Sequence, residues 1–179
     1  MQIEVINRQR RYPIANQALA RFAEAVLTNL ALPRAQVSIV FVSDRQMRKL
    51  NKDFRAINKT TDVLSFSYMT GVLYGNETME EEMAADRNAS NAELSAATDP
   101  DYLGDVVIST ETAARAADKL GLTFDQEVKT LILHGLLHLC GYDHETDNGE
   151  MEALEQKLRK RLLSSRLRRS TAAQAGSNH

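Results

Sequence analysis

The chain of 179 residues has no tryptophan, only three prolines and a single cysteine. One cysteine, Cys140, excludes an internal disulfide and suits a reducing compartment, so we expect a cytoplasmic protein. No apolar run reaches the roughly 18 residues of a membrane-spanning helix, and we expect no membrane partner. The first residues, from Met1 to Ile6, resemble a strand and lack the layout of a signal peptide.

The net charge is small, at −2, so binding to nucleic acid cannot be argued from the overall charge. The charges are unevenly distributed, however. Residues 70–101 contain eight acids and one base, whereas residues 156–179 contain seven bases and no acid. Only local basic patches are available to meet phosphates. Besides the C-terminal residues, one such patch comprises Arg45, Arg48, Lys49, Lys52, Arg55 and Lys59.

Length and composition predict one globular domain, since 43% of the residues are hydrophobic and 26% are charged. We predict that this domain covers residues 1–163. Residues 70–100 lack an apolar period and are predicted to be a mobile acidic insertion, which is either a lid over the site or a solvated loop. Residues 164–179 are predicted to form a basic, flexible tail.

Hydrophobic periodicity predicts four strands and about five helices. The strands are predicted at 2–6, 36–43, 63–68 and 102–109. The helices are predicted at 16–30, 44–53, 110–120, 123–139 and 147–163, with Asp44 as the cap of the second. These elements predict a single α+β domain with a mixed four-stranded sheet.

Three of the four histidines fall within residues 134–144 (HGLLHLCGYDH). His134 and His138 are four residues apart, so on a helix they share one face and can grip one ion. Gly141 can adopt the left-handed conformation that ends a helix, which brings His144 round from a loop. Three imidazoles leave a fourth position open on zinc, as in catalytic sites. We therefore predict His134, His138 and His144 as ligands of one Zn²⁺ per chain.

The same histidine spacing occurs in metzincin peptidases, which carry glutamate directly after the first histidine as the general base. Here that position is Gly135. Loss of a general base removes roughly 10²–10⁴-fold in rate. The sequence thus disfavours a zinc peptidase, although a base from elsewhere in the chain leaves that alternative open.

Residues 134–144 resemble the signature of the YbeY family, metal-dependent endoribonucleases of bacterial ribosomal RNA maturation. Three further segments resemble other blocks of that family in the same order: 50–55 (LNKDFR), 61–66 (TDVLSF) and 103–109 (LGDVVIS). The sequence departs from the family's pattern at Thr60 and Ser67, where proline is frequent, and in the length of the connection 70–100.

The resemblance implies that the strands at 63–68 and 102–109 pair beside a central, zincin-like metal helix. It also implies a single-strand-specific, zinc-dependent endoribonuclease that acts at the 3′ end of 16S ribosomal RNA and in ribosome quality control. Its partners would be single-stranded RNA, ribosomal RNA and the ribosome, with no DNA expected. Arg55 matches the arginine that acts with the first histidine, so Arg55 and His134 are the expected catalytic residues. The nucleophile is left open between a water activated by the ion and the 2′-hydroxyl of the substrate.

Two carboxylates, Asp105 and Asp143, are candidates to orient a ligating imidazole; for Asp143, capping of a turn is an equal alternative. Cys140 lies about 200° round the helix from His138, and we predict a buried thiol rather than a ligand. A further alternative to an enzyme is a non-catalytic ribosome-binding factor with a structural metal. In that case, histidine variants would unfold rather than lose only metal and activity.

Overall fold

The computed structural model describes residues 1–68, 101–143 and 147–163. Three segments that carry sequence predictions therefore lie outside the described residues. They are the acidic insertion (70–100), the basic tail (164–179) and the third predicted ligand, His144.

The strands form one mixed sheet of four, as the sequence predicts. They are β1 (Gln2–Asn7), β2 (Gln36–Val42), β3 (Val63–Ser67) and β4 (Tyr102–Ser109), in the order β1-β2-β4-β3. β1, β2 and β4 run parallel, and β3 pairs antiparallel with β4. The predicted pairing of β3 with β4 is therefore confirmed.

Five helices occur in the described parts of the chain. They are α1 (Asn16–Asn29), α2 (Asp44–Arg55), α3 (Thr110–Leu120), α4 (Phe124–Leu139) and α5 (Glu150–Leu162). α2 and α4 each begin with a capping box, formed by Ser43 with Gln46 and by Thr123 with Gln126.

The predicted capping role of Asp44 is wrong, because Ser43 accepts the hydrogen bond from the Gln46 N–H. Asp44 is instead the first helical residue, and its carboxylate accepts hydrogen bonds from the side chains of Ser109, Thr112 and Arg115. It therefore joins α2 to the start of α3.

Both faces of the sheet are covered. On one face, the β2 and β4 side chains Ile39, Phe41, Val106 and Ile108 belong to the main core with residues of α1, α4 and α5. On the other face, Met47 of α2 packs in a smaller cluster with Val42, Leu64 and Val107.

α4 is buried on most of its circumference, including Ile132, Leu133, Leu136 and Leu137, each with 0% exposure. A helix that is apolar nearly all round must lie inside the domain. The predicted metal helix is thus the central helix of the fold. No helix in the described ranges combines the length and apolarity that a membrane crossing requires.

Candidate functional site

His134 and His138 lie one turn apart near the C-terminal end of α4 and face each other. Their Nε2 atoms are 3.1 Å apart, and their ring centroids are 4.6 Å apart at an interplanar angle of 79°. The predicted meeting of these two imidazoles on one helix face is therefore borne out in the geometry.

A carboxylate from another helix orients the first histidine. Glu155 of α5 approaches Nδ1 of His134 with Oε2 at 3.1 Å, and its own side chain is only 16% exposed. This hydrogen bond is the main cause that lowers the pKa of Glu155, while burial opposes it. An ionised Glu155 accepts from Nδ1–H, which assigns the lone pair of His134 to Nε2, on the side of His138.

Sequence reasoning missed Glu155, although a signal was present. Glu155 follows Met151 by four residues and precedes Leu158 by three, and both of those side chains are buried. An acid on the inward face of an amphipathic helix indicates a buried partner. Arg159, one turn further on, lies 3.6 Å from Glu155 through Nη1.

The two imidazoles fit a small cation by their donor chemistry. Zinc–nitrogen bonds measure about 2.0–2.1 Å, so two ligands of one tetrahedral ion have nitrogens roughly 3.4 Å apart. The observed 3.1 Å is close to this separation, and the contact to Glu155 leaves Nε2 of His134 as the electron-pair donor. Within residues 1–68, 101–143 and 147–163 no group of three metal-binding side chains occurs, and the third predicted ligand, His144, lies outside these residues.

The end of α4 turns sharply after the second histidine. Gly141 has φ +85°, and the N–H groups of Gly141 and Tyr142 donate to the carbonyls of His138 and Leu137. These two bonds form a Schellman motif, in which glycine adopts the left-handed conformation. The predicted left-handed helix end at Gly141 is confirmed, whereas the predicted approach of His144 lies outside the described residues.

Cys140 turns away from the site into the main core, with 4% exposure. Burial raises the pKa of its thiol to about 11. A protonated thiol in an apolar setting is a poor metal ligand, which agrees with the predicted packing role.

Gly135 allows the sheet to approach the metal helix closely. A Cβ at this position would lie 2.5 Å from Cγ1 of Val106 and 3.2 Å from Oγ of Ser65. Ser65 also donates to the Gly135 carbonyl at 3.3 Å. The position that carries the general base in metzincins thus has no room for any side chain, which is a physical reason against that peptidase mechanism.

The histidines open into a cavity of about 710 Å³, called here the site groove. β3 and the end of α2 form its other walls. Arg55, the last residue of α2, lines this groove together with His134 and His138, so the predicted arginine lies in the same cavity as these two predicted ligands. The Arg55 side chain is exposed and, among the described residues, makes neither a hydrogen bond nor an ion pair.

Asn51 of α2 holds the loop that follows Arg55. This buried side chain donates through Nδ2 to the backbone carbonyl of Lys59 at 2.8 Å. The backbone carbonyl of Asn51 accepts a hydrogen bond from the Ile57 N–H. Ala56 ends α2 in the left-handed conformation, with φ +58°. These contacts fix the corner from which Arg55 extends.

The remaining carboxylates have mixed outcomes. Asp105 accepts a hydrogen bond from the Tyr102 hydroxyl at 2.7 Å, and its predicted orienting role does not hold for His134, whose Nδ1 contacts Glu155 instead. Asp62 lines the groove, but its carboxylate accepts from the Val63 N–H and from Thr61 and so stabilises the entry to β3. Asp143 lines the groove as well, and its orienting role stays a prediction.

The comparisons with known proteins agree on one family. A family model described as Endoribonuclease YbeY matches residues 4–163. Endoribonuclease YbeY of Geobacter sulfurreducens is 36% identical over 163 residues, which is 91% of this chain and 93% of that protein. The protein of the same name from Aquifex aeolicus is 35% identical over 160 residues, 89% of each chain.

A solved structure supports the same fold. The solution structure of TM1509 from Thermotoga maritima matches with a TM-score of 0.54 and 19% identity, over 99% of this chain and 100% of that one.

Proposed function

The chain belongs to the YbeY family of endoribonucleases, which makes it an RNA-cleaving hydrolase, and from this premise we propose that it is a zinc-dependent nuclease specific for single strands. The observation that carries the proposal is the pair of Nε2 atoms 3.1 Å apart, in one groove with Arg55. His134 and His138, with His144 as the third ligand, hold one Zn²⁺ per chain.

Each described residue of the site has a distinct task in this proposal. Zinc, when bound, supplies a Lewis acid that stabilises negative charge on phosphate oxygens. Arg55 donates from its planar guanidinium to the same phosphate and fixes its position. Glu155 holds the His134 ring through Nδ1 and directs Nε2 toward the position of the ion.

The substrate we propose is unpaired ribosomal RNA. A flexible single strand can bend its backbone into a groove, whereas the phosphates of an A-form duplex are held apart by its shape. We place the activity at the 3′ end of 16S RNA, in cytoplasmic ribosome maturation and quality control. The support for this placement is the resemblance of the four sequence segments to the family.

The first prediction separates metal binding from cleavage. Arg55→Ala is expected to keep stoichiometric zinc and lose cleavage of a single-stranded RNA by about 10²-fold or more, because a charge that stabilises the transition state is removed. His134→Ala is expected to lose both. Arg21→Ala, an exposed arginine on α1, serves as the matched control and should behave as wild type.

Zinc content and RNA cleavage are measured on the same preparations, beside a duplex RNA and a peptide library. Cleavage that survives in His134→Ala would show that the activity comes from a contaminating nuclease or from another site. Peptide hydrolysis that disappears with His134→Ala would favour the peptidase alternative instead.

The non-catalytic alternative makes a different prediction for stability. If the metal were structural, His138→Ala would unfold at ordinary temperatures. A catalytic site predicts a folded, metal-poor and inactive protein, because α4 is buried by its apolar side chains rather than by the histidines. Thermal melts of His138→Ala with and without zinc distinguish the two.

A further inference from the structure

A phenylalanine at the mouth of the site groove is unusually exposed. Phe54, the penultimate residue of α2, has 66% exposure and lines the groove beside Arg55. Single apolar residues on a surface are common, but this one stands at a site that binds a charged polymer in the proposed function. We therefore expect the exposed ring to contact a ligand that has an apolar face.

The Phe54 ring is held in place by a second aromatic. Its centroid lies 5.0 Å from that of Phe66 on β3, in an edge-to-face arrangement at 68°. Aromatic pairs of this geometry attract each other beyond simple contact. Phe66 is half-buried and packs against the smaller core cluster, so the pair joins the rim of the groove to the sheet.

The backbone beneath Phe54 is also fixed. Asn51, one turn earlier on α2, bonds to the Lys59 carbonyl, and this ties the helix end to the loop after it. An aromatic ring with little freedom to lose is a good platform for a planar ligand, because binding then orders few additional groups.

α2, the helix that carries Phe54, is rich in basic residues. Lys52 and Arg55 share the last turn of α2, and Arg48 and Lys49 precede them on the same helix. Positive charge beside an exposed aromatic is the combination that proteins use for single-stranded nucleic acid, in which phosphates meet the cations and bases stack on the ring. A hydrophobic peptide segment would have no use for this concentration of positive charge.

We propose that Phe54, supported by Phe66, is a stacking platform for one unpaired nucleobase of the RNA whose phosphate Arg55 binds. The inference rests on the proposed function and assigns to it a base-binding subsite. Stacking on a ring face accepts any base, so the subsite selects unpaired over paired nucleotides and does not read sequence.

The absence of tryptophan from the chain allows a direct binding test. In Phe54→Trp the new indole is the only one, and a base stacked on it quenches its fluorescence. Metal-free protein in EDTA is titrated with a short single-stranded RNA and with a strand of the same length that is abasic at every position. Leu120→Trp, at an exposed position on α3 away from the groove, is the matched control.

The fluorescence of Phe54→Trp is expected to be quenched by the intact RNA and to change much less with the abasic strand. Leu120→Trp is expected to keep its fluorescence with either. The proposal is overturned if the RNA binds, as seen by anisotropy of a labelled strand, and Phe54→Trp is not quenched. Equal quenching by the intact and the abasic strand would also overturn it.

Cleavage by zinc-loaded protein provides the second test. Phe54→Ala and Phe54→Leu are expected to raise KM for single-stranded RNA about ten-fold, the effect of one lost stacking contact, with a smaller change in kcat. Phe54→Tyr is expected to retain the wild-type KM. Wild-type values in Phe54→Leu would mean an apolar contact without stacking and would contradict the proposal.

The two tests separate this inference from the function on which it rests. If wild-type protein cleaves no RNA, the proposed function fails, and the fluorescence titration still decides whether a base is bound. If wild-type protein cleaves RNA and Phe54→Ala has an unchanged KM, only the stacking platform is wrong.

Discussion

At the scale of single residues, the site depends on contacts between side chains far apart in sequence. Glu155 lies 21 residues beyond His134 and on a different helix, yet its carboxylate orients the first imidazole. Periodicity could predict both helices but not which of their side chains meet. Asp105 shows the converse, because it occurs in a family-like segment and yet bonds to Tyr102.

Glu155→Ala is predicted to weaken zinc binding by about 10- to 100-fold, the usual effect of removing a carboxylate partner of a ligating histidine. Glu155→Gln should fall between Ala and wild type, since its amide oxygen still accepts from Nδ1–H. Affinity is measured by competition with a chelating dye, and Glu152→Ala, an exposed acid on the same helix, is the control. Unchanged zinc affinity in Glu155→Ala would remove this carboxylate from the site.

Gly135 is predicted to tolerate no side chain. Gly135→Ala places a methyl group against Val106, and overpacking of this kind costs about 1–3 kcal/mol. In the double variant Gly135→Ala with Val106→Ala, the total loss should be smaller than the sum of the two single losses, because the clash is relieved. Urea unfolding of the four proteins measures this coupling, and strict additivity would contradict the close approach.

At the scale of elements, most of the sequence predictions hold because they depend on local rules. β4 and α3 have the predicted bounds, and α4 begins after its Thr123 cap. The errors lie at helix ends: α2 is capped by Ser43, and α5 begins at Glu150 rather than at 147. At the start of α2, two residues that can cap a helix, Ser43 and Asp44, are neighbours. The tertiary partners of Asp44 decide which of them is the cap.

Those partners give Asp44 a pH-dependent role in joining α2 to α3. Burial raises the pKa of its carboxyl, but hydrogen bonds from Ser109, Thr112 and Arg115 together lower it below the ordinary value of 3.8. A lowered pKa stabilises the fold above the unfolded-state pKa, and this contribution is lost as the pH falls through the folded-state pKa.

Asp44→Asn should therefore have a lower melting temperature than wild type at neutral pH. The difference between the two melting temperatures should decrease as the pH falls below 3.8. Melting temperatures of both proteins across this range test the prediction, with Asp118→Asn on the exposed side of α3 as the control. A gap that stays constant with pH would show that the charge of Asp44 is not the stabilising feature.

At the scale of the whole molecule, the fold brings Arg55 and the two histidines of α4 from distant segments to one groove. The order β1-β2-β4-β3 is non-local, so no pattern along the chain could give it. It places β3 beside α4 and so lets α2, which precedes β3, bring Arg55 to the histidines. The near-zero net charge of the chain conceals this local concentration of positive charge.

RNA binding is accordingly predicted to depend on the α2 charges rather than on net charge. Each phosphate contact to a single strand contributes about 0.7 to the slope of log affinity against log salt concentration. Lys52→Ala should reduce the slope by about this amount, whereas Lys119→Ala on α3 should leave it unchanged. Anisotropy titrations at several salt concentrations give both slopes, and equal slopes for the two variants would contradict a binding surface on α2.

The contact between Glu155 and His134 also sets the point during protein synthesis at which the site is completed. Translation produces the histidine pair before the helix that orients it, and domains fold as their segments emerge from the ribosome. A nascent chain that ends before α5 thus has its imidazoles without their carboxylate. An endoribonuclease of this fold would in this way remain incomplete for most of the time it is attached to the ribosome that makes it.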